Sequence, residues 1–420
     1  MDNVRTILSR FWFIWLLVGL AALAGLTWAN YLYAQANPGG NDFLVHWVGT
    51  RALVIDGTSP YSDEVAIEIQ TMAYGHPARP GEHELRVAYP LYSVLVFLPY
   101  ALISDFTLAR ALWMTTLEIA LVGLTFLSLR VTRWKLSLWF LPIFLIFSIL
   151  WYHSLRPLIN GNAVILVALF IVGTFLALRA GRDELAGVLL AFSTIKPHLV
   201  VVVIAFVLLW TLSQRRWKTL FWFFVVLAML SALAALFIVD WPLQNLREVM
   251  RYSSYNPPGT LGSALAYWMP GIGRQIGWVV TGLLILLLLG EWLLSLRKEF
   301  RWFLWTACLT LTASQWIGIQ TDPGNFIILY IAVVLVFAVW EERAGKAGRP
   351  VVLILMVLLF FGPWVLFLQT VSYADQPIQS PIMFFPLPLF ILIGLYWVRW
   401  WAIRPARLLI EDFRDYAEEG

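Results

Sequence analysis

Between Val351 and Gln369 the chain reads VVLILMVLLFFGPWVLFLQ, nineteen residues without a charged side chain. About 20 apolar residues form a helix that is long enough to cross a bilayer. Similar stretches recur along the 420 residues, of which 60% are hydrophobic and 13% are charged. Soluble domains carry about 25% charged residues. The sequence therefore predicts an all-α polytopic integral membrane protein.

The apolar stretches predict about twelve transmembrane helices in a single transmembrane domain over residues 1–420. The ten ordinary spans lie near Phe11–Leu32, Phe106–Leu129, Leu136–Tyr152, Asn162–Leu178, Phe221–Val239, Ile276–Leu296, Trp302–Ile319, Asn325–Trp340, Val351–Gln369 and Ile382–Trp401. The stretch Leu185–Leu212 is too long for one span, and Lys196–Pro197 breaks it. We predict two short helices there that enter and leave on one side, with Lys196 at the outer bend.

The positions of Lys and Arg set the orientation of the chain. These residues cluster in short segments between spans, which is typical of cytoplasmic loops. We therefore predict a plasma-membrane protein with both termini and the tail 402–420 in the cytoplasm, and with interfacial helices in the first outer loop, 33–105. The Pro-containing run 89–103 is expected to lie in the interface, because a span there would place Arg130 and Arg133 outside.

Asp42 is the first candidate for chemistry, because it directly follows the first span. Residues 62–73 predict a short amphipathic helix with Val65, Ile69 and Met72 on one face, and such helices lie flat on membranes. A carboxylate beneath them is well placed to meet a substrate with a polar head and a lipid tail. The alternative is that Asp42 caps a helix or is a solvated loop acid.

Lys196 is the second candidate. An ammonium at the centre of a bilayer costs roughly 2.5–3.5 kcal/mol, so a lysine within apolar sequence suggests function. Pro197 favours the start of a new helix. The free amides of that helix, with Lys196 and His198, predict an anion site that fits a phosphate. The alternative is a lysine that snorkels to the interface at a bend.

Two further outer bends carry polar side chains that are suited to binding sugar hydroxyls or phosphate. A plain turn is the alternative for each, since Asn, Gly and Asp-Pro-Gly favour turns. The second bend is expected to be a site only if it points at Asp42. The candidates are Arg156, Asn160 and Asn162 in the first bend and Gln320, Asp322 and Asn325 in the second.

Several kinds of chemistry find no support in the sequence. It has no phosphate-cradling Gly-Lys-Ser loop, no HExxH and no Cys/His cluster. We therefore predict no metal and no cofactor. The net charge of +4 resides in loops between spans, which argues against a nucleic-acid partner. Cys308, the single cysteine, lies in an apolar span and is expected to be a packing residue.

Four groups of residues form an ordered pattern along the first half of the chain. They are Asp42-Phe43 with Trp47, Arg51-Ala52-Leu53 and Gly57-x-x-Pro60-Tyr61, then Tyr89-Pro90 with Leu98-Pro99, then Asn160-Gly161-Asn162, and then Gly187 with Lys196-Pro197. This pattern resembles glycosyltransferase family 87, the polyprenyl-phosphate-mannose-dependent transferases of the GT-C superfamily. The resemblance implies a GT-C-type bundle and an inverting membrane enzyme. Such an enzyme moves a hexose, with mannose as the first expectation, from a polyprenyl-phosphate sugar to a lipid or glycan acceptor on the non-cytoplasmic side.

The resemblance also implies roles for single residues. Asp42 is similar to the general base of the family, and Lys196 to its lysine near the carrier phosphate. We expect His198 and Arg156 to assist at that phosphate. The residues expected to bind the sugar or the acceptor are Asn160, Asn162, Gln320, Asp322 and Asn325. The chain departs from the family pattern there, since members often carry a histidine near the outer end of a late helix.

A polytopic transporter or lipid flippase is the alternative function. It fits the composition and the intramembrane lysine equally well. Many transporters contain corresponding broken helices in two repeated halves. The sequence shows one broken helix, at Lys196–Pro197, without a counterpart in the second half.

Overall fold

The computed structural model describes residues 12–255, 259–373 and 377–404. Within these residues a single antiparallel strand pair joins Ser372–Tyr373 to Pro377–Ile378, and helices make up most of the rest, as predicted. The helices are α1 (Trp12–Ala36), α2 (Asn41–Val54), α3 (Asp63–Tyr74), α4 (Val94–Ala101), α5 (Phe106–Thr132), α6 (Phe140–Leu150), α7 (Tyr152–Asn160), α8 (Val164–Arg179), α9 (Asp183–Phe192), α10 (Pro197–Ser213), α11 (Trp217–Ala235), α12 (Trp241–Tyr255), α13 (Leu261–Trp268), α14 (Gly273–Ser295), α15 (Phe300–Ser314), α16 (Tyr330–Ala344), α17 (Arg349–Thr370) and α18 (Pro386–Ala402). The 3-10 segments are Leu91–Ser93, Ser193–Ile195, Pro323–Leu329, Gly345–Gly348 and Pro381–Phe384.

Seven helical segments of the described chain are long and apolar enough to cross a membrane, and the bent pair α6–α7 is an eighth if it counts as one span. Apolar helices of this length indicate an integral membrane protein. The seven segments are Trp12–Ala36, Phe106–Thr132, Trp217–Ala235, Gly273–Ser295, Pro323–Ala344, Arg349–Thr370 and Pro381–Ala402. Of these, Pro323–Ala344 is almost wholly buried by its neighbours, whereas α1 is exposed along its apolar length.

Some predicted spans are shorter or bent in the structure. The span predicted near Trp302–Ile319 corresponds to α15, which ends at Ser314. At 1.5 Å per residue its 15 residues measure about 23 Å, less than the ~30 Å hydrocarbon core of a bilayer. The span predicted near Leu136–Tyr152 bends by 49° between α6 and α7. The total of twelve transmembrane helices therefore stays a prediction.

The predicted break at Lys196–Pro197 is confirmed, because α10 starts at that proline. The far ends of α9 and α10 lie side by side. Arg216 forms an ion pair with Asp183 at the start of α9, and Lys218 Nζ lies 2.8 Å from Glu184 Oε1. The chain therefore enters and leaves at one end of the bundle, and Lys196 lies at the other end of the pair.

Basic loops from distant parts of the chain meet at the end where α9 begins. The Gln214 amide donates to the Lys298 carbonyl oxygen at 2.8 Å. Three residues further on, Arg301 Nη2 lies 2.8 Å from Glu342 Oε2. We call this the basic end. It unites loops that the sequence places in the cytoplasm, so the structure agrees with their predicted common side.

The first outer loop contains the short helices α2, α3 and α4. Ser62 caps α3, because its Oγ accepts a hydrogen bond from Val65 N at 3.3 Å. Val65 and Ile69 are buried against the rest of the protein, whereas Met72 is 48% exposed, so the buried stripe of α3 is narrower than the apolar stripe in its sequence. α4 has eight residues, too few to cross a bilayer. The interfacial position of these helices stays a prediction.

A buried ion pair fastens this loop to α12. Arg86 Nε lies 2.5 Å from Glu248 Oε2, and Arg86 Nη2 donates to Glu248 Oε1 at 3.2 Å. Both side chains are almost fully buried. The same guanidinium lies 2.7 Å from Asp63 Oδ1 at the start of α3. These contacts hold α12 across the outer loop, beside the polar cluster described next.

Candidate active site

Asp42 is the second residue of α2, whose first residue follows Gly40. Gly40 has a φ of 80° and no side-chain cap, a left-handed conformation that favours glycine. A carboxylate in the first turn of a helix is stabilised by the free amides there. Asp42 is half-buried, and its carboxylate bonds to a different helix. The alternatives of a helix cap or a solvated loop acid are therefore wrong.

Two asparagines hold the Asp42 carboxylate. Asp42 Oδ2 accepts hydrogen bonds from Asn160 Nδ2 at 2.5 Å and from Asn162 Nδ2 at 3.0 Å. Between them Gly161 has a φ of 73°, and a Cβ there would lie 2.5 Å from Phe43 Cβ. Trp113 Nε1 donates to the Gly161 carbonyl at 2.7 Å. The first bend is thus a tight turn that also delivers two amides to Asp42.

Lys196 lies directly behind these asparagines. Its Nζ donates to Asn162 Oδ1 at 2.9 Å and to Asn325 Oδ1 at 2.7 Å. The side chain is only 5% exposed, so the snorkelling alternative is wrong. An ammonium has three donors, and these two bonds leave one for a ligand. The Tyr89 ring lies 5.3 Å from Nζ, close enough for a cation–π interaction.

The second predicted bend joins the same cluster through Asn325. Asn162 Nδ2 donates to Asn325 Oδ1 at 3.2 Å, although the two residues lie 163 positions apart in the chain. Asp322 caps the 3-10 segment, because its Oδ1 accepts from Gly324 N at 2.6 Å. Asp322 is exposed and interacts electrostatically with both Asp42 and Lys196. The bend is therefore a turn and part of the polar cluster.

Three of the predicted site residues lie outside this network of hydrogen bonds. Arg156 lies over the Phe367 ring, 5.0 Å from its centroid. With the amide oxygen of Gln379 turned toward Arg156, that oxygen accepts a hydrogen bond from Arg156 Nε at 2.7 Å. His198 is close enough to Lys196 for an electrostatic interaction. Gln320 packs against Gly259, whose added Cβ would lie 2.7 Å from Gln320 Cγ.

The sequence did not identify two tyrosines beside the cluster as site residues. Tyr89 stands between Lys196 and His46, with 3.9 Å between the Tyr89 and His46 rings. Tyr252, on α12, is close enough to Asp42 for an electrostatic interaction. Tyr89 was visible only as part of the Tyr89-Pro90 motif. Nothing in the sequence around Tyr252 marks it as a site residue, because the sequence of α12 is that of an amphipathic helix with scattered charges.

The charges of the site are one ammonium and two carboxylates. His46 does not add a cation, since burial, and then the Lys196 ammonium, lower the pKa of His46 to about 3. Burial, and then the Asp42 carboxylate, raise the pKa of Tyr89 well above its ordinary value, so that this phenol stays neutral. The site therefore offers a carboxylate that can accept a proton beside an ammonium that can bind an anion.

Residues 88–254 match the family model of glycosyltransferase family 87. The predicted resemblance to this family is thereby confirmed over the matched segment, and the name of the family denotes glycosyltransferases. The match spans 167 of the 420 residues and contains Asn160, Asn162 and Lys196. Asp42 precedes the matched segment, and Asn325 follows it. No curated protein and no solved structure matches the chain.

Proposed function

We propose that this protein is an inverting glycosyltransferase that moves a hexose, mannose first, from a polyprenyl-phosphate sugar to a lipid or glycan acceptor. The observation that carries the proposal is the continuous hydrogen-bonded path from Asp42 through Asn162 to Lys196. It sets a potential base beside a potential phosphate site, which are the two groups that transfer from a lipid phosphate requires. The match to family 87 supports the same reaction class.

Asp42 acts as the general base in this proposal. The acceptor hydroxyl gives its proton to the carboxylate while its oxygen bonds to the anomeric carbon. The bond from that carbon to the phosphate oxygen breaks, and the polyprenyl phosphate leaves with the electron pair. The transition state is oxocarbenium-like, as in glycoside hydrolysis. A single displacement inverts the anomeric centre.

Lys196 stabilises the leaving phosphate. Its remaining donor and its buried charge act where negative charge develops, and a preorganised donor of this kind typically contributes 10²–10³ in rate. His198, in the first turn of α10, and Arg156 are proposed to extend this phosphate site. Asn160, Asn162 and Asn325, with Gln320 and Asp322, are proposed to bind the sugar and the acceptor.

An apolar groove supports a donor with a hydrocarbon chain. It has a volume of about 510 Å³ and opens on the surface of α11, where Met229 is 65% and Leu236 is 81% exposed. One wall is Phe192, which ends α9 four residues before Lys196. We propose that the polyprenyl chain lies here. The lining residues are Phe192, Val226, Met229, Leu230, Ala232, Leu233 and Leu236.

The proposed orientation follows the charges. If the basic end faces the cytoplasm, as the positive-inside rule favours, the polar cluster faces the other side of the plasma membrane and both termini are cytoplasmic. The bundle then has about twelve transmembrane helices. The carrier lipid supplies the activated sugar on the outer side, so no nucleotide has to cross the membrane.

The test is transfer from radiolabelled polyprenyl-phosphate sugars by the purified protein in lipid. We expect label to reach a lipid or glycan acceptor with the wild type, and Asp42→Asn to abolish transfer while folding normally. Asp56→Asn is the matched control, because it makes the same change at an exposed acid of the same loop. Wild-type turnover by Asp42→Asn would remove Asp42 from the mechanism. No transfer from mannose, glucose or arabinose donors would favour the transporter or lipid flippase.

A further inference from the structure

Arg110 is a buried cation that the reaction does not use directly. It lies on α5 and is 2% exposed. Its Nη1 donates to the Asn37 carbonyl at 2.8 Å, and its Nη2 donates to the Ile159 carbonyl at 3.2 Å. No carboxylate within the described residues forms an ion pair with it, and its Nε has no hydrogen-bond partner there. Burying a charge without an ion pair is costly, so its position calls for an explanation.

The two carbonyls belong to the segments that deliver Asp42 and its partner. Asn37 precedes Gly40, the residue before α2, by three positions. Ile159 directly precedes Asn160, whose amide donates to the Asp42 carboxylate at 2.5 Å. The Arg110 guanidinium therefore binds the backbone next to both partners of the hydrogen bond between Asn160 and Asp42.

Gly40 shows how closely the guanidinium fits. A Cβ built on Gly40 would lie 2.5 Å from Arg110 Nε and 2.9 Å from Arg110 Cδ. The missing side chain of Gly40 thus makes room for Arg110 where α2 begins. One turn further along α5, Trp113 separately binds the Gly161 carbonyl, so the same helix holds both sides of Asn160.

We propose that Arg110 is a positioning residue, whose planar fork fixes Asp42 and Asn160 relative to each other. This inference rests on the proposed function, in which Asp42 is the base. The fork geometry matters, because a guanidinium presents several donors in one plane, whereas a lysine presents a single ammonium on a flexible stem. Lysine keeps the charge but does not reproduce the bridge between the two carbonyls.

The experiment compares Arg110→Lys and Arg110→Met with the wild type in the transfer assay. A displacement of about 1 Å at a reacting group costs about 100-fold in rate. We expect kcat to fall by that order in both variants, with the KM for the donor unchanged within about twofold. Arg343→Met is the matched control, because Arg343 is also buried but lies at the basic end over the Trp401 ring.

The split between kcat and KM separates positioning from a role in binding the donor. A displaced Asp42 slows the chemical step, whereas loss of a donor contact weakens binding. A raised KM with unchanged kcat, or wild-type kcat in Arg110→Met, would overturn the proposal.

Hydrogen exchange tests Arg110 without turnover. We expect faster amide exchange at residues 39–44 and 158–162 in Arg110→Met than in Arg343→Met. Unchanged exchange in both segments would refute the positioning role whether or not the protein transfers sugar. Absence of wild-type transfer, or wild-type turnover by Asp42→Asn, would instead refute the proposed function. The two failures are therefore distinguishable.

Discussion

At the scale of single residues, the Lys196 ammonium joins the two polar bends. It is the donor to the side-chain oxygens of Asn162 and Asn325, and it is the cation proposed for the carrier phosphate. In Lys196→Met both amide oxygens lose this donor and the phosphate loses its charge partner. We expect kcat to fall by about 100-fold or more and inhibition by added polyprenyl phosphate to weaken at least about tenfold.

The control for Lys196 is Lys218→Met. Lys218 is 72% exposed and is paired with the exposed Glu184, and solvent screening leaves such surface pairs with little effect on stability. Its loss should change neither turnover nor product inhibition. If Lys196→Met keeps wild-type inhibition by polyprenyl phosphate, Lys196 supports the fold and does not bind the phosphate.

The site residues that the sequence identified were those with unusual chemistry for their surroundings. Asp42 after a span and Lys196 within apolar sequence both stand out because charge is costly in a membrane. The contact of Asn162 with Asn325 was not predictable, since it depends on how the 3-10 segment Pro323–Leu329 packs on α7 and α8. Arg110 was missed because an arginine near the start of a span reads as an interface anchor.

At the scale of elements, the ion pair of Arg86 with Glu248 fastens the first outer loop to α12, which also carries Tyr252. Both partners are buried. Removing one partner of a buried pair leaves a charge without compensation and costs about 3–5 kcal/mol. We expect Arg86→Met to lower the apparent melting temperature of the purified protein by several degrees and to slow sugar transfer.

A double variant distinguishes the buried charge from lost packing. In the double variant Arg86→Met with Glu248→Leu, neither charge of the pair stays buried between the outer loop and α12. Most of the lost stability should therefore return. The exposed pair of Lys218 with Glu184 provides the comparison, since breaking it should not change the melting temperature measurably. If the double variant melts lower than Arg86→Met alone, the pair acts through packing and its charges are secondary.

The helix boundaries that could be predicted were those set by a single residue at the boundary itself. Pro197 fixes the break between α9 and α10, and Ser62 caps α3. The end of α15 at Ser314 is not evident from the sequence, because Trp316, Ile317 and Ile319 extend the apolar stretch beyond it. The pairing of Arg86 with Glu248 could not be predicted from the sequence either. The two residues lie 162 positions apart, and each is equally compatible with a solvent-exposed position.

At the scale of the whole molecule, the basic end, the polar cluster and the apolar groove have distinct positions. The basic end lies where α9 begins, and the polar cluster lies where α9 ends. The groove opens sideways on α11, close to that same end of α9. In the proposed reaction the donor lipid places its phosphate at Lys196 while its chain stays among lipids. This arrangement suits a transferase that takes its donor from the membrane.

The groove can be blocked without touching the polar cluster. Ala232 lines it, and its neighbour one turn earlier, Ala228, is also exposed but does not line it. We expect Ala232→Trp to raise the KM for a long-chain polyprenyl-phosphate mannose at least about tenfold, because the indole occupies the volume of the chain. A donor with one or two isoprene units has little chain to displace, so its KM should not change.

Ala228→Trp is the matched control, because it adds the same indole to the same helix face outside the groove. It should leave the KM of both donors unchanged. Equal effects of Ala228→Trp and Ala232→Trp would mean that bulk anywhere on α11 disturbs the enzyme. If Ala232→Trp instead weakens short-chain and long-chain donors alike, the groove does not hold the chain, and the lipid must approach Lys196 along another face of the bundle.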